Sequence, residues 1–193
     1  KDKTVARFVG GCVRKHLLGE AIDDIDVSTI LTVDEIKERF KGTNLKIIDT
    51  GLKHGTITLK SKNHKVEITT LRKDKITDGR HAIIEYTDNW QLDSERRDFT
   101  INAIYLDESG KIFDPQNGIQ NLREKKIKFI GDPEKRVQED YLRIFRFLRF
   151  SLKYKDFDKK DQIFKVIKKN LNGVVKLSKE RIFSELSKII RLD

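Results

Sequence analysis

FVGGCVRKHLLGEAIDDIDVST, the run from Phe8 to Thr29, is the stretch that decides the fold. It reads as a strand, a glycine turn at Gly10-Gly11, a short helix and a second strand. Glycine lets the backbone approach a ligand closely. The free N–H groups and the positive dipole end at the start of the helix suit a phosphate group. The order of these elements therefore predicts a phosphate site at Gly10 and Gly11.

Two carboxylates lie on the second strand of this run. Because positions i and i+2 of a strand share a face, we expect Asp24 and Asp26 to project side by side. Two adjacent hard oxygen ligands suit Mg²⁺, which binds through one or two carboxylates plus substrate phosphates. Alone, a Gly-Gly pair is usually a turn and an Asp-x-Asp pair is usually solvated surface acid. In this order, the two motifs predict a phosphate cradle and a metal platform in one unit.

The composition limits the class of protein. The chain has 193 residues, enough to bury a core as one domain or two small ones. Lys and Arg number 41 against 31 Asp and Glu, and this net charge of +10 suggests a polyanionic partner, with nucleic acid as the default. No run of about 18 apolar residues is present, so we expect no membrane span. Cys12 is the single cysteine, which excludes an internal disulfide and fits a cytoplasmic location.

Residues 30–113 predict the rest of a mixed α/β unit. Thr32 and Glu35 form a capping box at the start of a short helix. Glu67 is either a third acid near the metal site or an exposed strand residue, and the sequence favours neither. Alternating patterns predict strands at residues 46–50, 56–60 and 65–70, and a hairpin joining residues 104–106 to residues 111–113.

Residues 71–93 are polar and irregular, and they contain Asp78-Gly79-Arg80-His81. A segment of this length inside a domain is usually functional or disordered. We therefore expect a mobile functional loop, with a disordered surface loop as the alternative.

A second dense cluster is ERRDFTINA at residues 95–103. Arg97 can grip a phosphate in a bidentate manner, and Asp98 can accept a hydrogen bond from a ribose hydroxyl. Asn102 is polar within an apolar run, so we expect it to make a buried structural hydrogen bond. Taken alone, the cluster would be the charged start of a helix.

The pattern becomes helical after a transition at residues 114–133, which contains both prolines. A helix after Pro133 is expected to carry Asp140 and Arg143 where they can meet one base. Arg146 and Arg149 would reach elsewhere, toward phosphates. Without context, the same pattern indicates a solvated basic helix face with an i, i+3 ion pair.

The last helix begins at Ser178, which is a suitable N-cap. Its expected packing face consists of Ile182, Phe183, Leu186, Ile189 and Ile190. The fold class predicted from the whole chain is α/β (α+β), with a mixed-sheet head over residues 1–120 and an all-α neck over residues 121–193.

The motifs together resemble those of one family. The motifs concerned are Gly10-Gly11-x-Val13-Arg14, Asp24-x-Asp26, the run RRDFTINA at residues 96–103, and Glu139-Asp140-x-x-Arg143. Over essentially its whole length the chain resembles the nucleotidyltransferase superfamily, specifically the class II tRNA nucleotidyltransferases (CCA-adding enzymes) and bacterial poly(A) polymerases. Members usually continue into helical body and tail domains, so the chain looks like the head and neck of a longer protein or like an unusually short member. One departure is Lys15, where the family usually has an acid.

The resemblance implies transfer of CMP and AMP from CTP and ATP to the 3′ end of tRNA, without a nucleic-acid template. It implies that Asp24 and Asp26 hold two Mg²⁺ ions and are the catalytic residues. It also implies a mobile loop at residues 71–93 that is needed for the final A addition. The residues implied for nucleotide binding are Gly10, Gly11, Arg14, Arg97, Asp98, Asp140, Arg143, Arg146 and Arg149, with Glu67 and Glu139 as additional candidates.

The selection of C and A follows from the chemistry of one side-chain pair. Cytosine and adenine both show an amino donor beside a ring-nitrogen acceptor, whereas uracil and guanine show a carbonyl in the amino position. The Asp140 carboxylate can accept from the amino group while the Arg143 guanidinium donates to the ring nitrogen. Uracil or guanine would leave a buried acceptor unpaired, which is costly.

Three other functions stay open at the level of sequence. A poly(A) polymerase shares every motif named above, and a partial enzyme would add only CC or only A. A non-catalytic RNA-binding module would be expected to lose an acid at position 24 or 26, yet both acids are present.

Overall fold

The computed structural model describes residues 4–77, 82–156 and 161–192. The strands are β1 (Ala6–Val9), β2 (Ile25–Thr29), β3 (Lys46–Gly51), β4 (Thr56–Lys60), β5 (Lys65–Thr70), β6 (Arg72–Thr77), β7 (Ala82–Tyr86), β8 (Tyr105–Leu106) and β9 (Ile112–Phe113). The helices are α1 (Gly11–Leu18), α2 (Val33–Phe40), α3 (Trp90–Glu95), α4 (Gly118–Arg123), α5 (Pro133–Glu139), α6 (Leu142–Tyr154), α7 (Asp161–Asn170) and α8 (Lys179–Ile190). This mixed α/β part followed by helices confirms the predicted fold class.

A seven-stranded mixed sheet places β2 at its centre. The strand order is β3-β4-β5-β2-β1-β8-β9. Strands β2 and β5 run parallel, whereas the other neighbours are antiparallel. A parallel pair requires a crossover connection, which α2 and the β3–β4 hairpin supply here. The side chains of β2 therefore have neighbours from β5 on one side and β1 on the other.

The stretch from Phe8 to Thr29 folds as predicted, into β1, a glycine turn, α1 and β2. Gly10 is the N-cap of α1 and has φ 76°, a backbone conformation that residues with a Cβ rarely adopt. The predicted capping box of α2 also forms, because Thr32 and Glu35 each accept a hydrogen bond from the other's backbone N–H. Local sequence signals were sufficient for both elements.

One apolar core joins the first helix to the later helices. Cys12 and Val13 of α1 pack in the same buried cluster as Phe147 and Phe150 of α6. Phe129 belongs to the same cluster, and its ring is stacked on Phe147 with the ring centres 5.7 Å apart. The cluster crosses the predicted boundary between residues 1–120 and 121–193, and that division stays a prediction.

The expectation of an irregular segment at residues 71–93 was wrong for most of its length. Strands β6 and β7 pair as a hairpin, with Arg72 opposite Tyr86, and α3 follows them. Hydrophobic periodicity gave no signal because a two-stranded hairpin outside the main sheet does not need one apolar face. The Asp78–His81 motif lies outside the described residues.

The single long helix expected after Pro133 is two helices. Helix α5 ends at Glu139 and α6 begins at Leu142, and between them Asp140 is extended, with φ −154° and ψ 105°. The Asp140 side chain accepts a hydrogen bond from the backbone N–H of Leu142 at 3.1 Å, which competes with helix continuation. Asp140 therefore lies at a bend, and the regular helical spacing to Arg143 does not apply.

The packing face predicted for α8 was wrong for Phe183, Leu186 and Ile190, which are exposed, whereas Ile182 and Ile189 are half-buried. Phe183 is 73% exposed and Ile190 is 82% exposed, whereas Glu185 is 3% exposed. Glu185 faces α6 because two arginines of that helix lie within ion-pair distance of its carboxylate. Of the helices described, none is long and apolar enough to cross a membrane.

Candidate active site

Asp26 lies on β2, as the sequence predicts, whereas Asp24 precedes the strand by one residue. Asp24 is exposed just before the strand, and Asp26 is half-buried and in register with Glu67 of the parallel strand β5. Burial raises the pKa of Asp26, the negative charges of Glu67 and Asp24 raise it further, and Arg97 opposes the rise. This local concentration of negative charge favours a bound cation.

The carboxylates fit Mg²⁺ as a platform and not as a complete cage. Over residues 4–77, 82–156 and 161–192, no group of three or more His, Cys, Asp or Glu side chains is placed to hold a metal ion. Glu67 is engaged by Lys65, whose Nζ lies 2.6 Å from Glu67 Oε1. Asp24 and Asp26 remain as the donors, which suits an ion that takes its other ligands from water and substrate phosphates.

Gly10 of the glycine turn lies close to Asp26 of β2 and to Arg97 of the run at residues 95–103. A Cβ added at Gly10 would lie 3.8 Å from Asp26 Oδ2 and 4.0 Å from Arg97 Nη1. Gly11 begins α1, and among the described residues no heavy atom lies within 4 Å of its Cβ position other than its chain neighbours and the nearby backbone of α1 itself. The helix start, a carboxylate and a guanidinium therefore border the same space, an arrangement that can receive a polyphosphate with a divalent ion.

Arg97 is held by three partners that the sequence analysis did not connect with it. Its Nε donates to Tyr105 Oη at 3.1 Å, and its Nη2 donates to Ser28 Oγ and Asp93 Oδ2, each at 3.0 Å. Asp93 is completely buried and also accepts from Arg96 Nε at 2.8 Å. These contacts fix the guanidinium beside Gly10 and Asp26.

The sequence does contain signals for two of these three partners, Ser28 and Asp93. Ser28 is two residues after Asp26 and so shares its strand face. Asp93 is four residues before Arg97, the spacing of an i, i+4 ion pair. No local pattern indicates Tyr105, which the β8 strand brings in.

Arg14 is buried and not open to the site. Its Nη1 donates to Asn102 Oδ1, and its guanidinium lies 4.8 Å from the centre of the Phe150 ring. Asn102 in turn donates to Asp98 Oδ1 at 2.9 Å. The buried structural hydrogen bond expected of Asn102 is confirmed, whereas a phosphate-binding role for Arg14 stays a prediction.

Asp98 links the run at residues 95–103 to α6. Its carboxylate accepts from Arg146 Nε at 2.6 Å and from the Phe99 backbone N–H at 2.8 Å, and the residue is 8% exposed. The described contacts of Asp98 are thus internal ones. A contact of Asp98 with a ribose hydroxyl stays a prediction.

Asp140 and Arg143 both lie at the bend between α5 and α6, but each has its own ionic partner. Asp140 Oδ2 accepts from Arg181 Nη2 of α8 at 2.8 Å. Arg143 Nη1 donates to Glu139 Oε2 at 2.6 Å. Among the hydrogen bonds of the described residues, none joins the two side chains. Asp140 and Arg143 are therefore neighbours in the chain without a mutual side-chain hydrogen bond. Their joint contact with a base stays a prediction.

Arg146 and Arg149 meet Glu185, a residue that the sequence analysis missed. Arg149 Nε lies 2.7 Å from Glu185 Oε2, and Arg146 Nη1 lies 3.6 Å from Glu185 Oε1. Both arginines are therefore engaged by α8 in this structure. Lys15, the departure from the family pattern, pairs with Asp23 at 2.5 Å on the loop that leads to β2.

We expect acid to unfold the chain through two buried aspartates. For Asp93 and Asp98, burial alone would raise the pKa, but the neighbouring arginine charges and hydrogen bonds outweigh burial and lower it to about 2. Because the pKa in the unfolded chain is about 3.9, each carboxylate stabilises the folded chain at higher pH by roughly 2 kcal/mol. That contribution is lost as the pH falls from about 4 to about 2.

The measurement is the free energy of unfolding in urea between pH 2 and pH 6. The variant Asp98→Asn should be less stable overall and should lose less stability over that range than the wild type. The exposed Asp34→Asn should keep the wild-type slope. Equal slopes in Asp98→Asn and the wild type would contradict the assignment.

Comparison with known proteins adds to this geometry. A family model described as the poly A polymerase head domain matches residues 6–128. The human "CCA tRNA nucleotidyltransferase 1, mitochondrial" is 44% identical over 193 residues, which cover 98% of this chain and 44% of that protein. The "CCA-adding enzyme" of Streptococcus uberis is 39% identical, covering 95% of this chain and 45% of that protein.

Solved structures agree with these similarities. The Bacillus stearothermophilus CCA-adding enzyme in complex with CTP has a TM-score of 0.79 and 35% identity, covering 95% of this chain and 44% of that one. A tRNA nucleotidyltransferase complexed with a primer tRNA and an incoming ATP analog has a TM-score of 0.75 and 27% identity, covering 97% of this chain and 56% of that one. The chain spans less than half the length of the curated relatives named above. These matches confirm the resemblance drawn from the motifs.

Proposed function

The chain belongs to the poly A polymerase head domain family, and from that premise we propose that it is the catalytic part of a tRNA nucleotidyltransferase. The reaction is transfer of CMP and AMP from CTP and ATP to the 3′ end of tRNA, with release of pyrophosphate. The observation that carries the proposal is the convergence of Gly10, Asp26 and Arg97 on one space. The human relative named for CCA addition, the CCA-adding enzyme with CTP and the tRNA nucleotidyltransferase with a primer tRNA support this substrate class.

We propose that Asp24 and Asp26 hold Mg²⁺ and that the start of α1 and Arg97 receive the triphosphate. When bound, Mg²⁺ supplies Lewis-acid activation of the primer hydroxyl and neutralises charge on the leaving pyrophosphate. The chain's own contribution is positioning and charge stabilisation. The Gly10-Gly11 turn lets the backbone come close, and Arg97 places a fixed positive charge opposite the acids.

We propose that the bend between α5 and α6 selects the base. Asp140 would accept from the amino group of C or A, and Arg143 would donate to the ring nitrogen. For this to occur, Asp140 must exchange its contact with Arg181 for one with the base, and Arg143 must do the same with Glu139. The two present partners keep these charges paired in the meantime.

The expected division of labour places catalysis in residues 1–120 and base selection in residues 121–193. The shared core that joins α1 and α6 supports close coupling between the two parts. A cytoplasmic location stays a prediction, because the human relative carries a mitochondrial name.

The test is incubation of the chain with Mg²⁺ and a tRNA that lacks its 3′ end, followed by sequencing of the product ends. Each nucleotide is offered alone, and CTP is then offered with ATP. We expect CCA to be added and synthesis to stop. A long A tail would instead establish a poly(A) polymerase, and CC or A alone would establish a partial enzyme.

If the chain incorporates no nucleotide, a second experiment follows. The assay is repeated with the chain fused to the C-terminal remainder of the Streptococcus uberis relative. If the fusion is folded and also silent, the proposal fails and a non-catalytic RNA-binding module becomes the better account.

A further inference from the structure

Arg97 has one end of its guanidinium committed to the protein and one end open to the site. The hydrogens of Nε and Nη2 are used by Tyr105, Ser28 and Asp93. Within the described part of the chain, Nη1 makes no hydrogen bond, and it lies 4.0 Å from the Cβ position of Gly10. A planar guanidinium held along one edge can present the other edge in a single orientation.

Asp93 is the anchor of this arrangement. It is completely buried, and its Oδ2 accepts from both Arg97 Nη2 at 3.0 Å and Tyr105 Oη at 2.8 Å. Its Oδ1 accepts from Arg96 Nε at 2.8 Å and from the Arg72 backbone N–H at 3.4 Å. A buried carboxylate with all its acceptor positions filled is rigid, and so it fixes the direction of its partners.

Tyr105 closes the arrangement from the sheet side. Its hydroxyl accepts from Arg97 Nε and donates to Asp93, so the three groups form a closed hydrogen-bonded ring. The tyrosine ring is fully buried and packs edge-on against Trp90 with the ring centres 5.6 Å apart. The hydroxyl therefore cannot move without moving a packed ring.

We propose that Asp93 and Tyr105 are positioning residues that aim Arg97 Nη1 at the triphosphate of the incoming nucleotide. This inference rests on the proposed function, because it assigns a ligand to the open edge of Arg97. A preorganised donor loses less freedom on binding, so the ring of contacts strengthens the grip on the phosphate without touching it. A purely structural role would lower stability and leave nucleotide affinity unchanged.

Tyr105→Phe is the sharpest variant, because it keeps the ring and removes only the hydroxyl. The dissociation constant for CTP with Mg²⁺ is measured by calorimetry on the 193-residue chain, well below each variant's melting temperature. We expect Tyr105→Phe to weaken CTP binding by about tenfold, since a hydrogen bond to a charged group is lost. We expect Asp93→Asn to weaken it by a larger factor.

Two further variants separate positioning from general damage. In an Arg97→Gln background, Tyr105→Phe should cause no additional loss of CTP affinity, because the residue through which it acts is absent. Ser151→Ala is the control, since the buried Ser151 hydroxyl has no hydrogen-bond partner among the described residues. It should leave CTP affinity unchanged.

CTP affinity separates a failure of the positioning role from a failure of the proposed function. If Tyr105→Phe binds CTP as the wild type does, or if its effect adds fully to that of Arg97→Gln, the positioning role is wrong and the proposed function stands. If the wild-type chain does not bind CTP with Mg²⁺, both are overturned.

Discussion

Asp26→Asn is expected to reduce nucleotide incorporation by at least about 1,000-fold while leaving the chain folded, since a catalytic metal supplies several kcal/mol of transition-state stabilisation. The substitution removes one of the two carboxylates that we propose as the Mg²⁺ platform. Asp26 also has neighbouring acids that raise its pKa, after burial as the main cause. Its negative charge is therefore a cost to the folded chain at neutral pH, and the neutral amide should raise the melting temperature or leave it unchanged.

Glu67→Gln is the matched variant for this experiment. Glu67 lies in register with Asp26 on the neighbouring strand, and Lys65 engages it. If Glu67 only adds negative charge, its loss should change incorporation by less than about tenfold. A loss equal to that of Asp26→Asn would make Glu67 a third metal ligand. Near-normal turnover in Asp26→Asn would show that the metal assignment is wrong.

Asp140→Asn is expected to lower the preference for CTP over UTP by about 10- to 100-fold. An asparagine amide offers both an acceptor and a donor, so it can pair with the amino group of cytosine or with the carbonyl of uracil. The wild-type carboxylate can only accept, and uracil would leave it unpaired. The measurement is the ratio of kcat/KM for CTP and UTP on a tRNA that lacks its 3′ end.

The control for this experiment is Asp34→Asn, an exposed acid in the first turn of α2. It should leave both nucleotide preference and turnover unchanged. Arg181→Ala is informative as well, because Arg181 holds Asp140 in the present structure. If Asp140→Asn keeps the full preference for CTP, the base is read elsewhere.

The interpretation of the α5–α6 region shows where sequence reasoning fails. The sequence predicts one continuous helix through Asp140 and Arg143, and the Glu-Asp-x-x-Arg pattern identifies the two residues. The bend arises because the Asp140 side chain bonds the backbone N–H of Leu142. Such a local competition between side chain and helix depends on the surrounding contacts, which include the ion pair with Arg181.

The exposed face of α8 shows a second limit of prediction from hydrophobic periodicity. An amphipathic pattern predicted that Phe183 and Ile190 would be buried, but the structure buries Glu185 instead. Periodicity identifies an apolar face without identifying its partner. Here the carboxylate of Glu185 neutralises two arginines of α6, and that ionic requirement orients the helix.

By itself, the sequence determined the strand, glycine turn, helix and strand of residues 8–29, the mixed α/β class, and the acids of β2. These depend on short-range rules: residues with a Cβ rarely adopt φ 76°, the value at Gly10, and alternate strand residues share a face. Only the tertiary structure decided that Ser28 and Tyr105 hold Arg97, that Asn102 holds Arg14 and that Arg146 holds Asp98. Ser28, Tyr105 and Arg146 come from three different elements. Their meeting depends on sheet order and core packing, which no local spacing encodes.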